Sequence, residues 1–388
     1  MVRRIDRFDP APFRSRVAAQ IDSFEPADWM DAKSVRSLDR FSQFALVAGR
    51  LAVEDAAIRP GHRGHPRADR FGVYVGSALG GIAYAETQHV RFLDKGIRTV
   101  APNLALAVFG GAAPANLGIA LGIHGPILST ANSCAAGAVA IGEAFHAIRD
   151  GRADAVLAGG VEVPLSPLAF GAFDIIRALS AGHNDSPDVS ARPFDTQRDG
   201  FVMGEGAAML VLEEAQRAAA RGARPYAEIR GFAATSDAYH MVQPRPDGLQ
   251  AARAARLALA DGRLRAADID YVNAHASATP LGDLAEAHAI RLALGVHGAR
   301  VPVSGTKAYY GHPLGASGAI EAVICSMALE RDWAPGTLNL ESVDPDASAQ
   351  LPNITRDPVL GPFRAILSTS FGFGGLNAAL AFARHDRR

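Results

Sequence analysis

Short runs of aliphatic and β-branched residues alternate along the chain with longer alanine-rich stretches. This alternation predicts an α/β fold in which buried strands and helices follow one another. The predicted strands are Phe71–Gly76, Ile127–Ala131, Ala153–Ala158, Ala208–Leu212, Ile269–Asn273, Val301–Ser304, Ala365–Thr369 and Ala378–Phe382. The predicted helices, dominated by good helix formers, are Ser42–Ala56, Cys134–Arg149, Glu213–Arg221, Leu249–Asp261, Asp283–Leu294 and Gly315–Glu330.

Two segments, one in each half of the chain, echo each other in that they share one sequence pattern. Ser133–Phe145 and Gly311–Leu329 each follow a strand-like run, open a helix and carry small residues along it. Small residues let backbones approach closely, as expected for helices packed between two sheets. The echo indicates two similar halves, with coincidence in an alanine-rich chain as the alternative.

Composition narrows the class of protein. The chain has 388 residues, of which 48% are hydrophobic, enough for a large core in two or three structural units. Lys and Arg number 39 against 40 for Asp and Glu, so the basic excess of a general nucleic-acid binder is absent. The only two cysteines, Cys134 and Cys325, exclude a disulfide framework and fit a cytoplasmic, reducing compartment.

The sequence also gives no sign of a membrane partner. The N-terminus has basic residues without an apolar segment after them, so we expect no secretory signal. Residues 99–142 lack Asp, Glu, Lys and Arg, but Pro102, Pro114 and Pro126 interrupt them. A spanning helix needs about 20 mostly apolar residues in one run, so we expect buried strands, turns and a core helix here.

Cys134 is the first candidate for chemistry. It follows a predicted strand and stands where a helix should begin, with Ser133 as the expected N-cap. Free N–H groups and the dipole at a helix N-terminus favour a thiolate and can stabilise an oxyanion. The alternative is an inert core cysteine, because free cysteines are among the most buried residues. For Cys325, in the middle of a helix, we favour that alternative.

Two histidines and a lysine follow as candidates. His275 ends a strand before a polar turn, and His312 stands in a glycine-bordered loop that leads into a helix. Lys307 precedes His312 in the same loop, where its ammonium could tune His312 or hold a carboxylate such as Glu321. The alternatives are structural or exposed histidines and an ordinary surface lysine. Because no Cys and His spacing suggests zinc, we expect no metal.

The segment Ser370–Asn377 is too rich in glycine for a good strand, so its backbone should turn sharply or approach another group closely. A phosphate loop is excluded, because the G-x-x-x-x-G-K-[ST] motif is absent and no helix follows. We expect a backbone oxyanion donor here, with Phe371 and Phe373 packed around it.

At these residues the sequence resembles the β-ketoacyl-acyl-carrier-protein synthases, the type II elongating condensing enzymes of the thiolase superfamily. The resemblance covers about residues 35–382. It rests on LDRFSQFALVAGRLAVEDA, GPILSTANSCAAGAVAIGEA, ADAVLAGGVE, ARPFDTQRDGFVMGEGAAMLVLEE, SDAYHM, YVNAHASATPLGD, GTKAYYGHPLGASGAIEA and STSFGFGGLNAAL, in that order. Any one of these could arise by chance, but together they are highly specific.

The resemblance implies a thiolase-like α/β fold in which two similar αβαβα halves form a five-layer core. We place the half that carries the nucleophile at residues 1–215 and the half that carries both histidines at 216–388. It also implies an acyl carrier protein as partner, a homodimer, no nucleic acid and no cofactor, since the substrates are carried on phosphopantetheine.

The resemblance further implies a Cys-His-His triad of Cys134, His275 and His312. The acyl group would move to Cys134, malonyl-carrier protein would lose carbon dioxide, and the enolate would attack acyl-Cys134 and add two carbons. Lys307, with Glu321 near the site, would orient the triad. A second catalytic cysteine would mark a thiolase and a final asparagine an initiating enzyme, so His312 favours the elongating branch.

The remaining residues that the resemblance assigns serve binding. The backbone N–H groups of Cys134 and Phe373 would form the oxyanion hole. The residues implied in substrate binding are Ser277, Thr279, Phe109, Phe201 and Phe371. Lys33 and Arg36 would dock the acidic carrier protein, with an ordinary solvated surface as the alternative.

Three features depart from the family. The usual Gly-Thr-x-Thr after the first histidine is Ala276-Ser277-Ala278-Thr279 here, which keeps two hydroxyls for the phosphopantetheine arm. Phe109 replaces a smaller aliphatic residue, so we expect a shorter acyl pocket and short primers. The family's first strand and helix are missing, and because we expect that strand in the centre of the first sheet, its loss would leave backbone groups unpaired. Either the start lies upstream or the chain as given is impaired, and we favour the first.

Two other functions stay open from the sequence. A ketosynthase of a type II polyketide or aryl-polyene pathway carries the same motifs. A catalytically silent chain-length partner in a heterodimer typically lacks the nucleophile, so Cys134 disfavours it. A thiolase that uses coenzyme A is disfavoured by His312.

Overall fold

The computed structural model describes residues 2–385. Its strands are β1 (Val2–Arg4), β2 (Val17–Ala19), β3 (Phe71–Gly76), β4 (Ile127–Thr130), β5 (Ala155–Glu162), β6 (Gly206–Glu213), β7 (Glu228–Ser236), β8 (Tyr271–Asn273), β9 (Val303–Ser304), β10 (Trp333–Ala334), β11 (Val359–Leu360), β12 (Ala365–Gly372) and β13 (Leu376–Ala383). Its α-helices are α1 (Ala32–Ser37), α2 (Arg40–Asp55), α3 (Ile82–Lys95), α4 (Leu104–Ala107), α5 (Ala112–Leu121), α6 (Ala136–Arg149), α7 (Pro167–Ile175), α8 (Ala215–Ala220), α9 (Leu249–Asp261), α10 (Pro280–Leu294), α11 (Lys307–Tyr310), α12 (Ser317–Arg331) and α13 (Pro345–Gln350).

Two sheets of the same design organise the chain. In the first, in the order β4-β3-β5-β6, strand β3 is parallel to β4 and β5, and β6 is antiparallel to β5. In the second, in the order β9-β8-β12-β13-β7, strand β8 is parallel to β9 and β12, and β13 is antiparallel to β12. Four strands of each sheet therefore repeat one arrangement, as expected for two similar halves.

Helices α6 and α12 lie between the two sheets, and they are the two segments that echo each other in the sequence. Helices α2 and α5 cover the outer face of the first sheet, while α9, backed by α10, covers the second. The result is five alternating layers, which confirms the thiolase-like α/β fold. At Gly142 on α6, a Cβ atom would lie 2.1 Å from the ring of Phe232 on β7, so a glycine is needed for this close approach.

The edge position of β7 corrects one expectation. Strand β7, which the sequence pattern did not predict, lies at the edge of the second sheet beside β13. Its counterpart in the first sheet would therefore lie at the edge beyond β6, not in the centre. The four described strands β4, β3, β5 and β6 form a continuous ladder without it, so the expected gap between central strands does not occur.

The segment Ser370–Asn377 corrects a second expectation. Strand β12 runs on through Gly372 and β13 starts at Leu376, so both flanks of the segment are strand. Only Gly374 and Gly375, with φ of +84° and +70°, make the sharp turn, because these left-handed conformations favour glycine. None of the helices within residues 2–385 is both long and apolar enough to cross a membrane.

Candidate active site

Cys134 lies where the first half of the chain meets the second. After β4, a 3₁₀ turn over Ser133–Ala135 carries the cysteine, and α6 begins only at Ala136. The expectation that Ser133 caps the helix is wrong: Ser133 has a φ of +50°, and its hydroxyl lies 3.9 Å from Sγ of Cys134. An N-cap residue has an extended backbone, which Ser133 does not adopt, and no side chain caps α6. The 3₁₀ turn places the thiol, only 6% exposed, at the N-terminal end of α6.

His312 is the nearest ring to the thiol. Its Nε2 lies 3.1 Å from Sγ of Cys134, and its Nδ1 lies 2.8 Å from the hydroxyl of Ser317, the first residue of α12. The backbone of His312 is fixed as well, because its N–H donates to the carbonyl of Val202 at 2.7 Å and its carbonyl accepts from Gly204. The structure thus brings Cys134 and His312 from opposite halves into contact.

His275 completes the cluster. It follows β8, and its ring centre lies 5.2 Å from that of His312, with the ring planes almost perpendicular. Lys307 places Nζ 3.2 Å from Nδ1 of His275 and donates to the His275 carbonyl at 2.5 Å. Because an ammonium can only donate hydrogen bonds, Nδ1 of His275 must accept, and its proton lies on Nε2. Lys307 therefore contacts His275 directly, and its charge also lowers the pKa of His312, which is one of the roles that the sequence suggested.

Lys307 and Glu321 form a buried ion pair, as the sequence suggested. The lysine is 2% exposed and the glutamate fully buried, so Lys307 is no surface residue. Burial raises the pKa of Glu321 to about 7, while Lys307 opposes that rise. The hydroxyl of Tyr310 lies 3.5 Å from the same carboxylate oxygen that Lys307 contacts.

Burial decides the charge state of the three triad residues. It raises the pKa of the Cys134 thiol to about 11, against the opposing effects of the Ser133 hydroxyl and of Lys307. Burial and the charge of Lys307 hold the pKa of His275 and of His312 well below the ordinary value. At neutral pH the site therefore holds a thiol and two neutral imidazoles.

The turn between β12 and β13 supplies a backbone donor. The backbone N–H of Phe373 lies close enough to Sγ of Cys134 to lower the pKa of the thiol. A Cβ atom at Gly372 would lie 3.1 Å from the backbone nitrogen of Cys134, so the glycine permits this close approach. The two N–H groups expected to form an oxyanion hole, those of Cys134 and Phe373, thus lie on facing segments.

Aromatic rings line the apolar side of the site. Phe201 packs edge-on against His312 at 5.1 Å, and Phe173 links Phe201 to Phe373 with centre distances of 5.6 and 6.0 Å. Phe371 lies 6.1 Å from the ring of His275. Phe109 is different: it is 49% exposed and lies outside the hydrophobic cluster that contains Cys134. Its expected role in shortening the acyl pocket stays a prediction.

The turn after His275 combines hydroxyls with backbone strain. The hydroxyls of Ser277 and Thr279 lie 3.0 Å apart on partly buried residues. Ala276 and Ala278 have φ of +38° and +68°, in the left-handed region that costs a non-glycine residue about 1 kcal/mol or more. The first of these is the position where the family usually has glycine, so this chain keeps the turn at a cost in strain.

Two buried carboxylates that the sequence did not single out hold these turns. Glu286 on α10 accepts the backbone N–H groups of His275 at 2.8 Å and Ala276 at 2.6 Å. Glu162, at the end of β5, accepts N–H groups from Ala78 and from Gly315, which follows the His312 loop. Within residues 2–385 no group of three or more His, Cys, Asp or Glu side chains could hold a metal ion.

The rate at which Cys134 is alkylated shows whether burial or the helix N-terminus controls the pKa of the thiol. With a pKa of about 11, we expect the rate with iodoacetamide to rise about tenfold per pH unit from pH 7 to 10, because only the thiolate reacts. Cys134→Ala should abolish labelling, since Cys325 is fully buried. A rate that levels off below pH 8 would show that the helix N-terminus outweighs burial.

Comparisons with known proteins agree with this geometry. Residues 2–218 match the family model of the β-ketoacyl synthase N-terminal domain, and residues 226–341 match that of the C-terminal domain. A curated relative from Synechocystis sp., named 3-oxoacyl-[acyl-carrier-protein] synthase 2, is 42% identical over 98% of this chain and 90% of its own length.

Solved structures give the same result. A β-ketoacyl synthase from Burkholderia phymatum matches with a TM-score of 0.90 and 40% identity, over 99% of this chain and 92% of that one. A type II polyketide ketosynthase, solved with its acyl-carrier protein and bound to the hexaketide, matches with a TM-score of 0.90 and 30% identity, over the same shares. The chain belongs to the β-ketoacyl synthase family.

Proposed function

We propose that this protein is a 3-oxoacyl-[acyl-carrier-protein] synthase that extends a fatty acyl chain by two carbons on Cys134. The observation that carries the proposal is the contact of Cys134 with His312 at 3.1 Å, beside a His275 that Lys307 confines to one tautomer. The Synechocystis relative bears the name of this activity, at 42% identity.

Acylation of Cys134 would come first. Sγ attacks the thioester carbonyl of an acyl-carrier protein, the bond to the carrier's sulfur breaks, and the thiol proton ends on the departing thiolate. The rings of Phe173 and Phe201, with Phe373, offer the acyl chain an apolar surface next to the nucleophile. We assign Ser277 and Thr279 to hydrogen bonds with the phosphopantetheine arm.

Decarboxylation and condensation would follow. When malonyl-carrier protein loses carbon dioxide, the electron pair of the broken bond forms an enolate whose oxygen accepts Nε2–H of His275 and of His312. The enolate carbon attacks acyl-Cys134, and the N–H groups of Cys134 and Phe373 bind the tetrahedral oxyanion. Collapse of that intermediate expels the Cys134 thiolate, which a proton from water restores to the thiol. Besides the substrates, every step uses only protein groups and water, so we propose that no cofactor takes part.

We assign carrier-protein docking to α1. Lys33 and Arg36 lie one helical turn apart, so they share a face, and both are exposed. Neither forms an ion pair with another of the described residues, which leaves both charges available to an acidic partner. The solved type II ketosynthase complex shows that an acyl-carrier protein binds a relative of this fold.

The alternatives are less well supported. A polyketide pathway is disfavoured because the polyketide ketosynthase is 30% identical to this chain, whereas the 3-oxoacyl-[acyl-carrier-protein] synthase 2 of Synechocystis sp. is 42% identical. A silent chain-length partner would not need a buried nucleophile in contact with His312.

We also propose a cytoplasmic location, because a reducing compartment keeps Cys134 a free thiol. Fractionation of cells would test this location.

A second copy of the chain fits the open edge of the first sheet. Among the strands of residues 2–385, β4 pairs only with β3. Exposed apolar residues surround it: Leu106, Phe109, Ile119 and Ile127, at 49% to 82% exposure. Such an edge and patch are costly in water, and a two-fold axis would pair β4 with its own copy. Phe109 would then lie at the interface.

This homodimer predicts a mass in light scattering of about twice 40.6 kDa. Ile127→Lys, which places a charge on the edge strand, should reduce the mass to that of one chain. Leu360→Lys, which places the same charge on an exposed apolar residue of the separate two-stranded sheet β10-β11, serves as the control and should leave the dimer intact. A single-chain mass for the wild type would contradict the homodimer and leave a different partner as the occupant.

Intact-protein mass spectrometry tests the activity itself. After incubation with acyl-carrier proteins of graded chain length, we expect the wild type to gain the mass of one acyl group. Cys134→Ala should gain none, because the thioester forms on that sulfur. The chain lengths that react give the primer preference. The absence of an adduct on the wild type at every length would contradict the proposed function.

A further inference from the structure

The two site histidines differ in what faces their Nδ1 atoms. Nδ1 of His275 faces the ammonium of Lys307 at 3.2 Å, which can only donate. Nδ1 of His312 faces the hydroxyl of Ser317 at 2.8 Å, which can donate or accept. His275 is therefore restricted to the tautomer with its proton on Nε2, whereas His312 can hold either tautomer without losing a hydrogen bond.

Acylation and condensation require opposite tautomers of His312. In the resting site Cys134 is a thiol, and the nearest ring nitrogen to Sγ is Nε2 of His312 at 3.1 Å. To accept the thiol proton, that nitrogen must be bare, so the ring proton lies on Nδ1 and is donated to Ser317. During condensation Nε2–H must donate to the enolate, and Nδ1 must then accept from Ser317.

We propose that Ser317 is a positioning residue that lets His312 accept the Cys134 proton during acylation and donate from Nε2 during condensation. This inference rests on the proposed function. In acylation the proton passes from Sγ to Nε2 of His312 and from there to the departing carrier thiolate, while the acyl–sulfur bond to the carrier breaks and the one to Cys134 forms. Between the half-reactions Nε2 takes up a proton from water and Nδ1 gives one up, so the exchange is neutral overall.

Loss of the hydroxyl should affect the two half-reactions unequally. Acylation passes through a His312 with both nitrogens protonated, and a buried charged N–H without an acceptor is costly. Condensation leaves Nδ1 as a bare acceptor on a neutral ring, which is the cheaper group to leave unpaired. A merely structural role of Ser317 would slow both half-reactions to the same degree.

The experiment compares Ser317→Ala with Ser326→Ala, a matched control on the same helix. Ser326 is also buried, and its hydroxyl donates to the carbonyl of Ala322 at 2.8 Å, away from the site. Acylation is followed by mass spectrometry with an acyl-carrier protein that labels the wild type. Condensation is followed as release of carbon dioxide from malonyl-carrier protein, added after each enzyme has been fully acylated.

We expect Ser317→Ala to slow acylation by at least about tenfold and condensation by less than about threefold. Ser326→Ala should change neither rate, and Ser317→Thr, which keeps a hydroxyl, should restore acylation. Equal losses in both half-reactions, or no loss in either, would overturn the role of Ser317. Because the wild type is measured alongside, failure of its own acylation would count against the proposed function instead.

Discussion

The ammonium of Lys307, buried beside His275, is the interaction on which the active site depends. It is a charge out of contact with water, so it needs the carboxylate of Glu321 to be stable there. Its remaining donors go to the carbonyl and Nδ1 of His275. A neutral imidazole has one donor and one acceptor, so this contact aims the donor, Nε2–H, into the site. Together with burial, which is the larger cause, the charge of Lys307 holds the pKa of both histidines well below the ordinary value and so keeps both rings neutral.

The two halves of the fold supply the active-site residues, and hydrogen bonds between the halves hold these residues in place. The nucleophile comes from the first half, and both histidines and the lysine come from the second. The carboxylate of Glu162 links the two halves, because it accepts hydrogen bonds from the N–H of Ala78 in the first half and from the N–H of Gly315 in the second. A Cβ atom at Gly315 would lie 2.6 Å from that carboxylate. Because position 315 is a glycine, the Glu162 carboxylate can approach its backbone closely, and this hydrogen bond fixes the His312 loop relative to Cys134.

The sequence predicted the parts of the site that have a local signal. Cys134, His275 and His312 each stand at the end of a strand-like run, and the family motifs name them. Glu286 and Glu162 were missed, because a glutamate that caps a buried turn looks in the sequence like one that faces water. Ser317 has no signal at all, since its importance depends on a ring five positions earlier in the chain. Strand β7 was missed because Arg230 and Gly231 interrupt its apolar pattern.

The most direct test of this account is the rate at which acylated enzyme releases carbon dioxide from malonyl-carrier protein when Lys307 is replaced. Lys307→Met combined with Glu321→Gln removes both charges and so leaves no unpaired carboxylate in the core. The account predicts that this double variant still becomes acylated on Cys134 but releases carbon dioxide at least about tenfold more slowly, because nothing then fixes the tautomer of His275. Release at the wild-type rate would contradict it.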